Sequence, residues 1–119
     1  LAWQAPSGEI ISYSLEPSAG PADAAKIAEQ KVLAQKMMES MTIQVGDQIV
    51  QGQFLGYLYG QDDWAHVHMS VKASDRGPEQ WLCPADYMSA VGESDLLTKS
   101  LIWADRLYKG SKQPELCNY

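Results

Sequence analysis

The sequence contains few of the residues that build metal sites and reactive centres. It has only two histidines and two cysteines in 119 residues. With no third histidine, a zinc site made of three imidazoles is excluded. Neither Cys83 nor Cys117 belongs to a C-x-x-C motif. Any metal site must therefore combine the two histidines with ligands of another type.

Cationic residues and long apolar runs are also scarce. Nine Lys and Arg residues stand against 15 Asp and Glu residues, which gives a net charge of -6, and no basic stripe is present. Phosphate contacts need clustered cations, so we expect neither a nucleic-acid partner nor an anionic membrane surface. No segment approaches the roughly 20 apolar residues of a membrane span, so none is expected in this chain.

The remaining composition is ordinary for a globular domain, with 45% hydrophobic and 20% charged residues. We expect a single domain over residues 1–119. The first residue is Leu1 rather than Met, which indicates a trimmed chain from which any signal peptide would already be gone.

The two cysteines leave two interpretations open. They are either two buried thiols or one disulfide that ties the C-terminal tail to the loop after Trp81. The even count and the tail position of Cys117 favour a Cys83–Cys117 disulfide. A disulfide would make the protein periplasmic or secreted.

Local patterns predict a mainly β fold with added helices. Residues 42–45 and 48–59 alternate in polarity and carry glycines, which is typical of short strands. Residues 22–41 predict an inserted helix after Pro21, with a methionine-rich packing face. Residues 94–108 predict a C-terminal helix capped by Ser94, which ends at Lys109-Gly110 and places Trp103 in the core.

Both histidines fall in one predicted strand, at His66 and His68. Residues i and i+2 of a strand point to the same face, so the two imidazoles are expected to stand side by side. Two neutral imidazoles can bind a metal together, or one can bind the metal while the other moves a proton. Alternatively, both are plain strand residues that are hydrogen-bonded or face solvent.

Four segments of the chain resemble LytM-type M23 metallopeptidases. Residues 45–56, Val-Gly-Asp-Gln-Ile-Val-Gln-Gly-Gln-Phe-Leu-Gly, are similar to the family's V-x-x-G-D-x-V-x-x-G-Q-x-I-G segment, one residue shorter. His66-Val-His-Met-Ser-Val71 resembles the H-L-H-F-E-V strand. The opening Trp3-x-Ala-Pro-x-Gly-x-Ile10 and the turn Cys83-Pro-x-x-Tyr87 are weaker matches, and together the segments cover about half of the chain.

The resemblance implies a small barrel-sandwich β core, the duplicated hybrid motif of that family. It also implies a possible zinc ion, with His68 as the ligand and His66 as the group that assists the catalytic water. The family's upstream H-x-x-x-D ligands are absent, because no histidine precedes His66. Asp62, Asp63, Glu9 or Glu16 could add an oxygen ligand, but none has the motif spacing.

We therefore expect a degenerate M23-like domain, exported to the cell envelope, that binds or regulates without cutting and needs no cofactor. The alternative is a zinc metallopeptidase that cleaves cell-wall peptides. Trp64, Tyr57 and Tyr59 are the candidate ligand-binding residues, since aromatic faces stack on sugars and peptides. The expected partner is a cell-wall peptide or glycan, or an envelope protein.

Overall fold

The fold combines a four-stranded sheet with two α-helices. The computed structural model describes residues 1–21, 23–61, 64–73 and 80–109. The strands are β1 (Ala2–Gln4), β2 (Ile10–Glu16), β3 (His66–Lys72) and β4 (Trp81–Leu82). They form an antiparallel sheet in the order β1-β2-β3-β4, which makes β2 and β3 neighbours. At one edge, Val71 pairs with Leu82 and Lys72 with Trp81.

Both predicted helices are present, with different starting points. A short 3-10 turn, Ala24–Lys26, leads into α1 (Ile27–Glu39), and the Asp23 carboxylate caps that turn by accepting from the Ala25 N–H at 2.9 Å. The C-terminal helix α2 is Ala90–Tyr108. Its cap is Ser89 rather than Ser94, so the helix begins four residues before the predicted start. It ends where predicted, with Lys109 in the left-handed conformation.

The expected strands over residues 42–45 and 48–59 are not found, and this prediction is wrong. The segment is held instead by single contacts, such as the Thr42 N–H donating to the Leu55 carbonyl at 3.0 Å. Gly46, Gly52 and Gly56 have φ angles of 98°, 78° and 153°, which strand pairing does not accommodate. The content is therefore mixed rather than mainly β, the sheet is not a closed barrel, and the barrel-sandwich core is not confirmed.

The contacts of the chain divide it into two compact units. The first unit is Leu1–Trp3 with Tyr13–His68, and the second is Gln4–Ser12 with Met69–Tyr119. The buried apolar residues of the first unit are Pro17, Ala19 and Met37, and those of the second are Ile11, Val71 and Ala85. The single domain over residues 1–119 stays a prediction.

The helix faces are more exposed than their apolar patterns predict. On α1, Met37 is buried whereas Met38 is 65% exposed. No residue of α2 is buried, and Trp103, which the pattern places in the core, is 60% exposed with the Arg106 guanidinium over its ring. The core position predicted for Trp103 is therefore wrong. Neither of these helices, nor any other within the described ranges, is long and apolar enough to cross a membrane.

Candidate metal centre and adjoining pocket

The first part of the candidate site is the start of strand β3. His66 and His68 lie there on one side of the strand, separated by Val67. Their ring centroids are 4.8 Å apart and the ring planes meet at 71°. The two imidazoles are therefore adjacent, as the period of a strand predicts.

A carboxylate from the neighbouring strand completes the cluster. Glu16 is the last residue of β2, which pairs with β3 in the sheet. Its Oε2 lies 3.2 Å from Nε2 of His66, and its Oε1 lies 3.1 Å from Nε2 of His68. One carboxylate thus contacts both rings, one oxygen to each.

The contacts of His66 indicate which of its ring nitrogens carries a proton. Its Nδ1 lies 2.9 Å from the carbonyl oxygen of Trp64. A carbonyl oxygen only accepts, so Nδ1 is the donor, and the neutral ring presents an unprotonated Nε2 to Glu16. Two acceptors at 3.2 Å attract each other only when a proton or a metal cation lies between them. This arrangement also resembles the way a second hydrogen bond orients a metal-ligating histidine.

The three donors match a metal-ligand set in type and in spacing. One ligand atom from each of Glu16, His66 and His68 can be chosen so that all lie within 4.8 Å of one another. Two imidazoles with one carboxylate is a ligand set used for zinc. The side chains are 49%, 53% and 62% exposed, respectively, so rotation about their side-chain bonds can bring them closer.

An apolar pocket adjoins this cluster within the first unit. It has a volume of about 960 Å³, and both Glu16 and His66 belong to its lining. Its other walls come from the segment after β2 and from one side of α1. The apolar side chains of the lining are those of Leu15, Pro17, Ala19, Pro21, Ala24, Ile27, Ala34 and Trp64.

The pocket wall formed by residues 17–20 uses all of its backbone hydrogen-bonding groups. The Gln30 amide accepts from the Ala19 N–H and donates to the Pro17 carbonyl, while the Lys26 ammonium donates to the Ala19 carbonyl at 2.7 Å. Ser18 pairs through its backbone with Tyr59 and Gln61, and through its hydroxyl with Gly20. The wall therefore offers a ligand no free amide hydrogen from Ser18, Ala19 or Gly20.

Of the three aromatic residues predicted to bind a ligand, Trp64 lines the pocket and the two tyrosines do not. Trp64 is 50% exposed and lines the pocket next to His66. Tyr57 and Tyr59 do not line it; they form an edge-to-face series with Phe54, at centroid distances of 4.9 Å for Phe54–Tyr57 and 6.3 Å for Tyr57–Tyr59. Tyr57 and Phe54 are both exposed. A single groove made of all three predicted residues stays a prediction.

The other acidic ligand candidates and the two cysteines are not part of the described cluster. Glu9 accepts a hydrogen bond from Ser7 and is not part of the cluster. Asp62, Asp63 and Cys117 lie outside the described residues. Cys83 is half-buried at the start of the short helix Pro84–Tyr87, and its disulfide with Cys117 stays a prediction.

Sequence reasoning included Glu16 among four acidic candidates but had no ground for choosing it. The missing signal is strand pairing: Glu16 closes β2 and His66 opens β3, so antiparallel pairing brings the two ends together. The alternation of side chains along β2 could identify Glu16 as the partner of the histidines only if the register between β2 and β3 were already known.

No family model matches the chain, and no curated protein or solved structure matches it significantly. The resemblance to M23 metallopeptidases therefore stays a prediction, and the geometry of the cluster has to support any function by itself.

Proposed function

We propose that this chain is an exported, M23-like binding module of the cell envelope that holds a zinc ion and does not cut its ligand. Glu16, His66 and His68 are the zinc ligands. The observation that carries the proposal is the convergence of their donor atoms, with distances of 3.1 and 3.2 Å between the carboxylate and the two rings.

The donor spacing fits zinc. Bonds of about 2.0–2.1 Å in tetrahedral geometry place ligand atoms about 3.3 Å apart. The two carboxylate–imidazole distances are already close to this value. The widest separation, within 4.8 Å, needs a closure that exposed side chains achieve by rotation. The Trp64 carbonyl holds the His66 ring with Nε2 directed at the cluster.

The same geometry favours binding over hydrolysis. If His66 and His68 both ligate with Glu16, the cluster keeps no separate base for a water molecule. All three side chains are also about half exposed or more, so the site does not exclude bulk water. A three-residue ligand set leaves one coordination position open.

A zinc metallopeptidase is the second candidate. In that case His68 and Glu16 hold the ion, and His66 acts as the base. The favouring observation is the accessible Nε2 of His66, which sits at the rim of a pocket able to receive a substrate. Release of peptides from purified peptidoglycan by the zinc-loaded protein, lost in His66→Ala, would establish this alternative and overturn the non-catalytic proposal.

Zinc titration tests the proposed site. We expect calorimetry on protein pretreated with a chelator to give one zinc per chain. Removing a ligand should weaken binding at least about tenfold, the scale seen when a supporting contact is lost. Glu16→Gln and His68→Ala remove ligands, whereas Glu39→Gln removes an equal charge from the exposed end of α1, where Glu39 contacts Gln35. Equal affinity in Glu16→Gln and Glu39→Gln would overturn the site.

Binding to the cell wall needs a separate test. Trp64 is the predicted aromatic contact nearest the cluster, since it lies two residues before His66 and lines the same pocket. We expect Trp64→Ala to reduce retention on peptidoglycan, and the exposed Trp103→Ala to serve as a matched control. Unchanged retention of Trp64→Ala would count against a wall-binding surface at that end.

Export is tested through the cysteines. A Cys83–Cys117 disulfide would stabilise the folded state by roughly 3–4 kcal/mol in the chain-entropy model, because it closes a long loop in the unfolded chain. We expect protein isolated without reductant to resist thiol alkylation until it is reduced. Immediate labelling of both cysteines would contradict the disulfide and remove the support that it gives to a periplasmic or secreted location.

A further inference from the structure

The pocket beside the metal cluster differs from an ordinary polar cleft. Its volume of about 960 Å³ is within the range of small-molecule sites. Three of the polar side chains along its wall are already engaged: Gln30 and Lys26 bond the backbone of residues 17–19, and Asp23 caps the following turn. The surface left for a ligand is chiefly apolar.

The hydrogen bonds already made by the pocket wall favour an amphiphilic ligand over a peptide. A peptide brings an N–H and a carbonyl with each residue, and each needs a partner when it is buried. The amide hydrogens of Ser18, Ala19 and Gly20 are already bonded within the protein, so a buried peptide carbonyl would find no backbone donor on this wall. A ligand with an apolar body and one polar end would leave no such group unpaired.

The polar end has a place at one side of the pocket. Glu16 and His66 belong to both the pocket lining and the metal cluster. A zinc ion held there by three residues would keep one coordination position open, and a carboxylate is a zinc ligand. The lining also contains Lys31, a cationic side chain with no partner among the described residues.

We propose that the pocket binds a medium- or long-chain monocarboxylate, with the hydrocarbon chain along Leu15, Ile27 and Ala34 and the carboxylate at the Glu16–His66 end. The position of the head group rests on the proposed zinc site, whereas the binding of the chain does not. The ligand is a small amphiphile and is distinct from the cell-wall partner.

Calorimetry with straight-chain carboxylates of eight to twelve carbons and the matching alcohols tests this. In zinc-loaded protein, we expect affinity to rise by up to about fourfold per methylene group, the factor for full burial. Dodecanoate should bind at least tenfold more tightly than dodecan-1-ol. Removing zinc should abolish this difference while leaving the alcohol's affinity unchanged. Equal affinity of the acid and the alcohol in zinc-loaded protein would overturn the placement of the head group.

Matched variants on α1 test where the chain lies. Ile27 and Val32 are both about half exposed, at 54% and 51%, but only Ile27 lines the pocket. Ile27→Asn should weaken dodecan-1-ol at least about fivefold, and Val32→Asn should not. Ala34→Phe, which narrows the pocket, and Ala28→Phe, at an exposed position outside the lining, form a second pair. Equal affinities within both pairs would overturn the pocket as the chain-binding site.

Two outcomes separate this inference from the proposed function. If zinc does not bind but the alcohols do, with sensitivity to Ile27→Asn, the chain-binding pocket is supported and the zinc site fails. If the preference for dodecanoate is lost in Lys31→Gln and survives zinc removal, the head group lies at Lys31, and its placement at Glu16–His66 is overturned.

Discussion

Gly60 lies so close to Ala65 that no β-carbon fits between them. A Cβ built on Gly60 would overlap the Ala65 Cβ. Gly60 also forms a parallel bridge with Ser18, which ties it to the pocket wall. This contact sets the position at which His66 begins its strand.

We therefore expect Gly60→Ala to destabilise the fold by about 1–3 kcal/mol, the usual cost of overpacking. Because the displaced residue directly precedes His66, zinc affinity should fall as well. Urea unfolding and zinc titration measure the two effects. The double variant Gly60→Ala with Ala65→Gly removes the overlap and should recover most of both losses. A lack of recovery would show that the contact is not the cause.

The hydrogen bond between His66 and Trp64 predicts a tautomer. Near neutral to mildly alkaline pH, nitrogen-15 spectra of the imidazoles should show the proton of neutral His66 on Nδ1. Zinc should then shift the Nε2 resonance of His66 and leave Nδ1 protonated. A proton on Nε2 in the metal-free protein, or a zinc-induced shift at Nδ1, would contradict the ligand geometry.

The start of α2 gives a matched pair of serines. The Ser89 hydroxyl accepts from the Gly92 N–H at 3.2 Å, whereas Ser94 is an exposed residue inside the helix. Ser89→Ala should cost about 1 kcal/mol of unfolding free energy, as loss of a helix cap does. Ser94→Ala should change it by less than about 0.5 kcal/mol, since it lies on the helix surface. Denaturant unfolding compares them, and a larger loss for Ser94→Ala would restore the predicted helix start.

Glu9 makes the stability of the second unit depend on pH. The hydrogen bond from the Ser7 hydroxyl, with a backbone contact of Glu9 itself, lowers the pKa of this carboxyl. A lowered pKa in the folded state means that the ionised form is favoured by folding. The contribution is therefore present above the ordinary carboxyl pKa and is lost as the pH falls through the lowered value.

Ser7→Ala should weaken this dependence, because it removes the largest of the contacts that lower the pKa of Glu9. Its unfolding free energy should lie below that of the wild type at neutral pH and converge with it in acid. Ser14→Ala, at an exposed position on β2, is the control and should follow the wild-type profile. Parallel profiles for Ser7→Ala and the wild type across the acid range would contradict the assigned role of Ser7.

Local patterns predicted those parts of the fold that local chemistry determines. The apolar period identified both helices, and the spacing of His66 and His68 put their rings on one side of a strand. The prediction of strands within residues 42–59 was wrong because an alternating polarity pattern does not show that Gly46, Gly52 and Gly56 adopt positive φ angles. Glu16 could not be selected because its role depends on pairing between strands that are distant in sequence. Trp103 was misplaced because an apolar helix face does not specify whether anything packs on it.

The pocket wall at residues 17–20 belongs to no helix, and only Ser18 takes part in a strand-like bridge, yet the amide hydrogens of Ser18, Ala19 and Gly20 are all bonded within the protein. Such amides should exchange with deuterium slowly, like those of regular structure. The entropy of ordering this wall is thus lost during folding rather than on ligand binding. A ligand that enters meets a preorganised surface, and more of its contact energy remains as affinity.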